Sequence, residues 1–95
     1  MREGPEIARI AALVADPVRS AMLLALMDGR ALTATELASV GGITKQTASS
    51  HLAKLVESEV LVAEAQGRHR YFRLAGSHVA ALLETLMIFS SDAAP

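Results

Sequence analysis

Between Thr44 and Arg73 the chain gathers residue types able to hold a nucleic-acid backbone and read base edges. Lys45, Gln46, Thr47, Ser49, Ser50 and Lys54 occupy one side of a segment whose other side carries Ala48, Leu52, Leu55 and Val56, and Arg68, His69, Arg70 and Arg73 follow with Tyr71 and Phe72 interleaved. A glutamine amide can bond an adenine edge through two hydrogen bonds, hydroxyls can serve bases or phosphates, and the cations attract the backbone. No carboxylate interrupts the polar face before Glu57. Taken alone, such a face is also that of any solvated amphipathic helix, where Ser and Thr are ordinary. The three arginines behind it favour DNA, because a basic hairpin beside a polar helix suits a phosphate grip flanking a groove.

Other chemistries fit less well. Ser49, Ser50 and His51 have the residue types of a nucleophile and a base, but consecutive helical residues point to different sides and no carboxylate is placed to orient the histidine. An enzyme is therefore not expected. His51 lies at the edge of the apolar stripe, the position of a packed, hydrogen-bonded side chain, whereas His69 lies where it could touch a phosphate. His78 opens the last helix, but the position eleven residues on is Phe89, Glu84 is out of that register, and Asp92 recurs only at fourteen. Metal ligation needs several donors at fixed helical spacing, and the sequence contains no cysteine. No metal and no cofactor is expected.

The elements that would position these residues can be read from their ends. Thr33-Ala34-Thr35-Glu36 is a capping box opening a short helix that Val40 ends, and Gly41 and Gly42 are expected to supply positive backbone angles for a tight turn. Thr44 then caps a second helix running to about Glu59. Leu61 to Gln66 alternates as a strand, Gly67 punctuates, and Arg68 to Leu74 forms the second strand of a two-stranded ribbon. Upstream, Asp16 and Pro17 separate the stripe Ile7, Ile10, Ala11 and Val14 from the broadly apolar Val18 to Met27, the expected central core helix, stopped near Gly29. A final helix carries Val79, Leu82, Leu83, Leu86 and Met87 on one stripe. The fold class is mainly α with a small β-hairpin, a winged helix-turn-helix.

These residues resemble the ArsR/SmtB-type bacterial winged-helix regulators over roughly residues 7–87. Asp16-Pro17-Val18-Arg19 is similar to the opening of that family's central helix, Thr44 to Leu52 to its recognition helix, and Gly67-Arg68 through Tyr71-Phe72 to its wing. The resemblance implies a DNA-binding transcriptional regulator, with the helix 44–59 in the major groove and the hairpin 61–74 as wing. Where many members have a glycine before the first wing strand, this chain reads Ser58-Glu59-Val60, a departure that bears on the helix exit and the wing's angle. The family's metal motifs are largely missing.

At 95 residues the chain suits one domain with one modest core, and its formal charge of −1 argues against a protein that coats DNA. Between Thr44 and Arg73, however, five cations (Lys45, Lys54, Arg68, Arg70, Arg73) face three carboxylates (Glu57, Glu59, Glu64), a local surplus that would orient the molecule on a polyanion. The opening Met1-Arg2-Glu3-Gly4-Pro5 is not that of a secretory signal, and no apolar run approaches membrane-spanning length, so a cytoplasmic protein without membrane contact is expected. Hydrophobic content of 52% exceeds what so small a core can hide. The surplus points to a homodimer through Ile7, Ile10, Val14, Val79, Leu82, Leu83, Leu86 and Met87; the alternative is that both stripes cover the monomer's own core. Ser90 to Pro95 reads as a tail or linker. Two other functions stay open at this point: a winged-helix protein-interaction module without DNA binding, and a metal-responsive sensor.

Overall fold

The computed structural model of the chain describes residues 3–93. Among these residues five α-helices, α1 (Glu3–Ala15), α2 (Pro17–Ala25), α3 (Ala34–Gly41), α4 (Lys45–Glu57) and α5 (Ser77–Ala93), and a 3-10 turn at Met27–Gly29 accompany three strands, β1 (Leu32–Thr33), β2 (Leu61–Gln66) and β3 (His69–Leu74). The expected two-stranded ribbon is therefore a three-stranded antiparallel sheet in the order β1-β3-β2. β1 pairs Leu32 with Phe72 and Thr33 with Tyr71; it is only two residues long, too short to leave an alternating signature in sequence.

The core gathers one face from each element. Met22, Leu23 and Leu26 of the α2 region meet Leu37 and Ala38 of α3, Ala48, Leu52 and Leu55 of α4, Leu61, Phe72 and Leu74 of the sheet, and Val79 and Leu83 of α5. Val79 and Leu83, expected with the surplus stripe, thus turn inward at 7% and 5% exposure. They lie about 40° apart around the helix, so one face of α5 can seal the monomer's core while neighbours point elsewhere. α5 continues through Ala93, so residues 90–93, read as the start of a tail, are helical; Ala94 and Pro95 lie outside the described residues.

α3 and α4 end in the same way with different residues. After α3 the amides of Gly42 and Ile43 turn back to the carbonyls of Ser39 and Ala38, at 3.2 and 3.0 Å, with Gly42 at φ 65°. After α4 the amides of Glu59 and Val60 turn back to Val56 and Leu55, at 3.0 and 2.9 Å, with Glu59 at φ 64°. Both are Schellman closures, which need a left-handed residue at their pivot. The Ser58-Glu59-Val60 exit therefore closes without a glycine and places a glutamate in a strained conformation. Gly41, also expected at positive φ, instead remains within α3, where a Cβ would stand 3.0 Å from Val18 Cγ1. Its smallness lets α3 approach α2.

Replacing Glu59 with glycine should therefore stabilise the domain. Relief of the left-handed penalty, partly offset by the entropy glycine loses on folding, amounts to about 1 kcal/mol and a thermal midpoint a few degrees higher. Glu59→Val should lower the midpoint, because a branched side chain resists this conformation more.

Candidate nucleic-acid interface

Thr44 positions the first turn of α4: its Oγ1 accepts from the Thr47 amide at 3.1 Å and donates to Thr47 Oγ1 at 3.0 Å. Both hydroxyls are thus engaged in starting the helix. Ala48, Leu52 and Leu55 bury one face, leaving Lys45, Gln46, Ser49, Ser50 and Lys54 exposed on the remainder. α3 carries the expected capping box, with the Thr33 hydroxyl accepting from Glu36 N at 3.2 Å and the Glu36 carboxylate accepting from Thr33 N at 2.9 Å.

A second set of contacts holds α4 from behind. Asp16 Oδ2 accepts from Arg19 N at 2.9 Å and caps α2. The Arg19 guanidinium donates to the carbonyl of Leu13 at 2.7 Å and of Ala12 at 3.3 Å, closing the last turn of α1, and reaches His51 Nδ1 on α4 at 3.1 Å. Because a guanidinium only donates, Nδ1 is the accepting nitrogen of that ring. Ser20 Oγ also donates to the Val14 carbonyl. His51 is thus the hydrogen-bonded structural residue that its position at the stripe's edge indicated. The backbone amide of Arg19, and secondarily its charge, hold the Asp16 carboxyl below its ordinary value of 3.8.

The sheet register sorts the wing residues onto two faces. Arg70 stands opposite Ala65, Phe72 opposite Ala63 and Leu74 opposite Leu61, so Arg70 continues the face that enters the core, with its guanidinium carbon 5.4 Å from the Phe72 ring centre. This face turns toward α4, where a cleft of about 280 Å³ is lined by Ser49, Ala53, Val56, Glu57, Arg70 and Phe72. Nearer the hairpin tip, Lys45, Ser49, Arg68, His69 and Arg70 converge on a neighbouring cleft. Gln46, Ser50 and Lys54 line neither cleft and stay on the exposed face of α4.

Arg73 departs from expectation. It lies on the opposite face with Tyr71, and its guanidinium bonds the Glu64 carboxylate at 3.3 and 3.5 Å, so a neighbouring carboxylate already engages it. His69 on that face stands edge-on to Tyr71, centroids 6.2 Å apart. Sequence reasoning also missed that Thr33 and Thr35 border the tip cleft; the capping signal showed what Thr33 does within α3 but not which element would pack beside it. Among the described residues, no three His, Cys, Asp or Glu side chains cluster as metal ligands would, and no helix is long and apolar enough to cross a membrane.

Comparison with known proteins accords with this arrangement. A helix-turn-helix domain family matches residues 14–63. The HTH-type transcriptional regulator CmtR of Mycobacterium tuberculosis is 38% identical over 87 residues, covering 92% of this chain and 72% of that protein. The chain belongs to the ArsR-type family of winged helix-turn-helix transcriptional regulators. An HTH-type transcriptional regulator of Bacillus subtilis, YdfF, is 52% identical over 84 residues, which are 88% of this chain but only 37% of that protein. Two solved structures share the ArsR-type fold closely. The homodimeric winged helix-turn-helix DNA-binding domain (fragment 1–100) of a possible ArsR-family regulator from Mycobacterium bovis aligns with TM-score 0.86 at 25% identity, over 96% of this chain and 83% of that one. The antimony-specific transcriptional repressor AntR aligns with TM-score 0.80 at 26% identity, over 96% and 82%. ArsR-type regulators are DNA-binding proteins and not enzymes.

The depressed Asp16 carboxyl ties stability to pH. A carboxyl whose folded value lies below its unfolded one contributes stability that is complete above the unfolded value and disappears as pH falls through the folded one. Asp16→Asn keeps the cap and removes the charge. Its thermal midpoint should therefore lie below wild type at pH 7, and the gap should close as pH falls below the ordinary carboxyl value of 3.8; a gap independent of pH would contradict the assignment.

Proposed function

We propose that the chain acts as a dimeric, cytoplasmic repressor that inserts α4 into the major groove of operator DNA while the β2–β3 hairpin grips the flanking backbone. The observation that carries this reading is the convergence of Lys45, Arg68 and Arg70, without a carboxylate among the lining residues, beside the exposed, carboxylate-free turns of α4 that present Gln46 and Ser50. Gln46 is the base reader; Thr44, Thr47, Ser49, Lys54 and His69 serve the backbone or the helix that reaches it. Selection of DNA fragments by the purified protein, followed by titration at several salt concentrations, tests it. With Lys45, Lys54, Arg68 and Arg70 as phosphate partners, a dimer should neutralise about six phosphates and show a steep salt slope. Gln46→Ala should cost roughly 1–3 kcal/mol at one base pair per half-site, whereas Arg70→Ala should weaken all sequences alike. An affinity insensitive to salt would overturn the reading.

The two-fold partner rests on α1 and α5. Ile7 is 67% exposed, Leu82 41%, and Leu86 and Met87 43% each, and an apolar groove of about 760 Å³ runs between Ile7, Ile10, Val14, Leu82 and Leu86. A second copy covering this groove would present two recognition helices to half-sites about one turn, roughly 34 Å, apart. The homodimeric state of the Mycobacterium bovis domain supports the same assembly. Leu86→Glu should yield a folded monomer by sedimentation with operator affinity lower by orders of magnitude, since each protomer alone loses the avidity of the second half-site. A wild-type monomer binding one half-site tightly would return both helices to the monomer's own needs.

A further inference from the structure

We infer that the cleft at the hairpin tip is a seat for one backbone phosphodiester per half-site, and that Thr35, a residue of α3, is among the groups that hold it. This inference rests on the DNA-binding reading above and specifies where the backbone is fixed. The cleft, about 260 Å³, draws its walls from three elements: Thr33 and Thr35 at the start of α3, Lys45 and Ser49 on the first turns of α4, and Arg68 and Arg70 on the wing. Three of these side chains are cationic and no carboxylate lines the space. Glu36, the nearest acid in sequence, has its carboxylate engaged with the amide and hydroxyl of Thr33.

The donors suit a tetrahedral monoanion. Arg70 is steadied by the Phe72 ring, 5.4 Å beneath its guanidinium carbon, and so presents its donors with less freedom to lose. The hydroxyls of Thr35 and Ser49 take no part in the hydrogen bonds found among the described residues, unlike those of Thr33, Thr44 and Thr47, which are committed to caps. Hydroxyl and guanidinium donors converging from three directions recognise non-bridging phosphate oxygens, and phosphate contacts of this kind set register and orientation, not sequence. A phosphate held at once by α3, α4 and the wing would therefore fix the angle at which α4 enters the groove.

The test replaces phosphates singly. Methylphosphonate linkages are placed one at a time along the duplex recovered by selection, and wild type, Thr35→Ala, Thr35→Ser and Arg70→Ala are titrated against each. One position per half-site should dominate. On the unmodified duplex Thr35→Ala should bind about tenfold more weakly, as expected for one hydrogen bond to a charged oxygen, with Thr35→Ser restoring affinity. On the duplex neutral at the dominant position, both alanine variants should fall within about twofold of wild type, the non-additivity of groups that share a partner. Salt-dependent binding in which Thr35→Ala matches wild type, or in which the losses multiply at every modified position, would overturn the seat while leaving DNA binding intact. Absence of salt-dependent binding by wild type would overturn both.

Discussion

The guanidinium of Arg19 is the contact on which the placement of α4 depends. α1 ends with carbonyls that no further turn can satisfy, α2 begins immediately beyond Asp16, and α4 must be held with its polar face outward. Arg19 meets all three requirements from one side chain, satisfying Leu13 and Ala12 at the end of α1 and His51 on the inner edge of α4. Its own backbone is fixed by Asp16. A lysine could not substitute, since a single ammonium on a flexible stem lacks the planar fork that serves two directions at once. The apolar packing of Leu52 and Leu55 would hold α4 against the core, but packing is tolerant of rotation, and a directed bond to His51 is not.

Around this frame the charges are used sparingly. A formal charge of −1 gives the molecule little long-range attraction for a polyanion. The wing's three arginines are not equivalent: Arg73 is tied to Glu64 on the outer face, and Arg70 shares its cleft with Glu57, so only Arg68 and Arg70 remain turned toward α4. Within the wing, the positive charge left facing α4 is that of Arg68 and Arg70. A surface of this kind discriminates by fit at short range more than it accelerates encounter, because distant fields are weak and screened within about 10 Å.

Most of the helical frame was legible because helix ends are written in local chemistry. Thr33 with Glu36, Thr44 with Thr47 and Asp16 with Arg19 act over three residues, and sequence alone displays that spacing. What escaped notice depends on partners distant in the chain. β1 exists only because Leu32 and Thr33 find Phe72 and Tyr71. Arg73 looks like its neighbours until strand alternation turns it toward Glu64. Val79 and Leu83 belong to the same apolar stripe as Leu82 and Leu86, and only the position of the sheet and α2 decides which of them the monomer itself covers. Glu59 shows the converse: a strongly determined turn imposes a left-handed conformation on a residue that would not choose it. Gly41, by contrast, is needed for its missing side chain and not for its dihedral freedom.

Thr33 belongs to two structures at once. As the last residue of β1 it pairs with Tyr71 in the wing's sheet, and as the residue before α3 it closes the capping box with Glu36. No spacer separates the sheet from the helix. A load applied to the hairpin by a bent or widened duplex would pass through a single α-carbon into the start of α3, with no slack to absorb it. The wing is in that sense a lever mounted directly on the helix pair, and its deflection and the tilt of α3 are one mechanical coordinate.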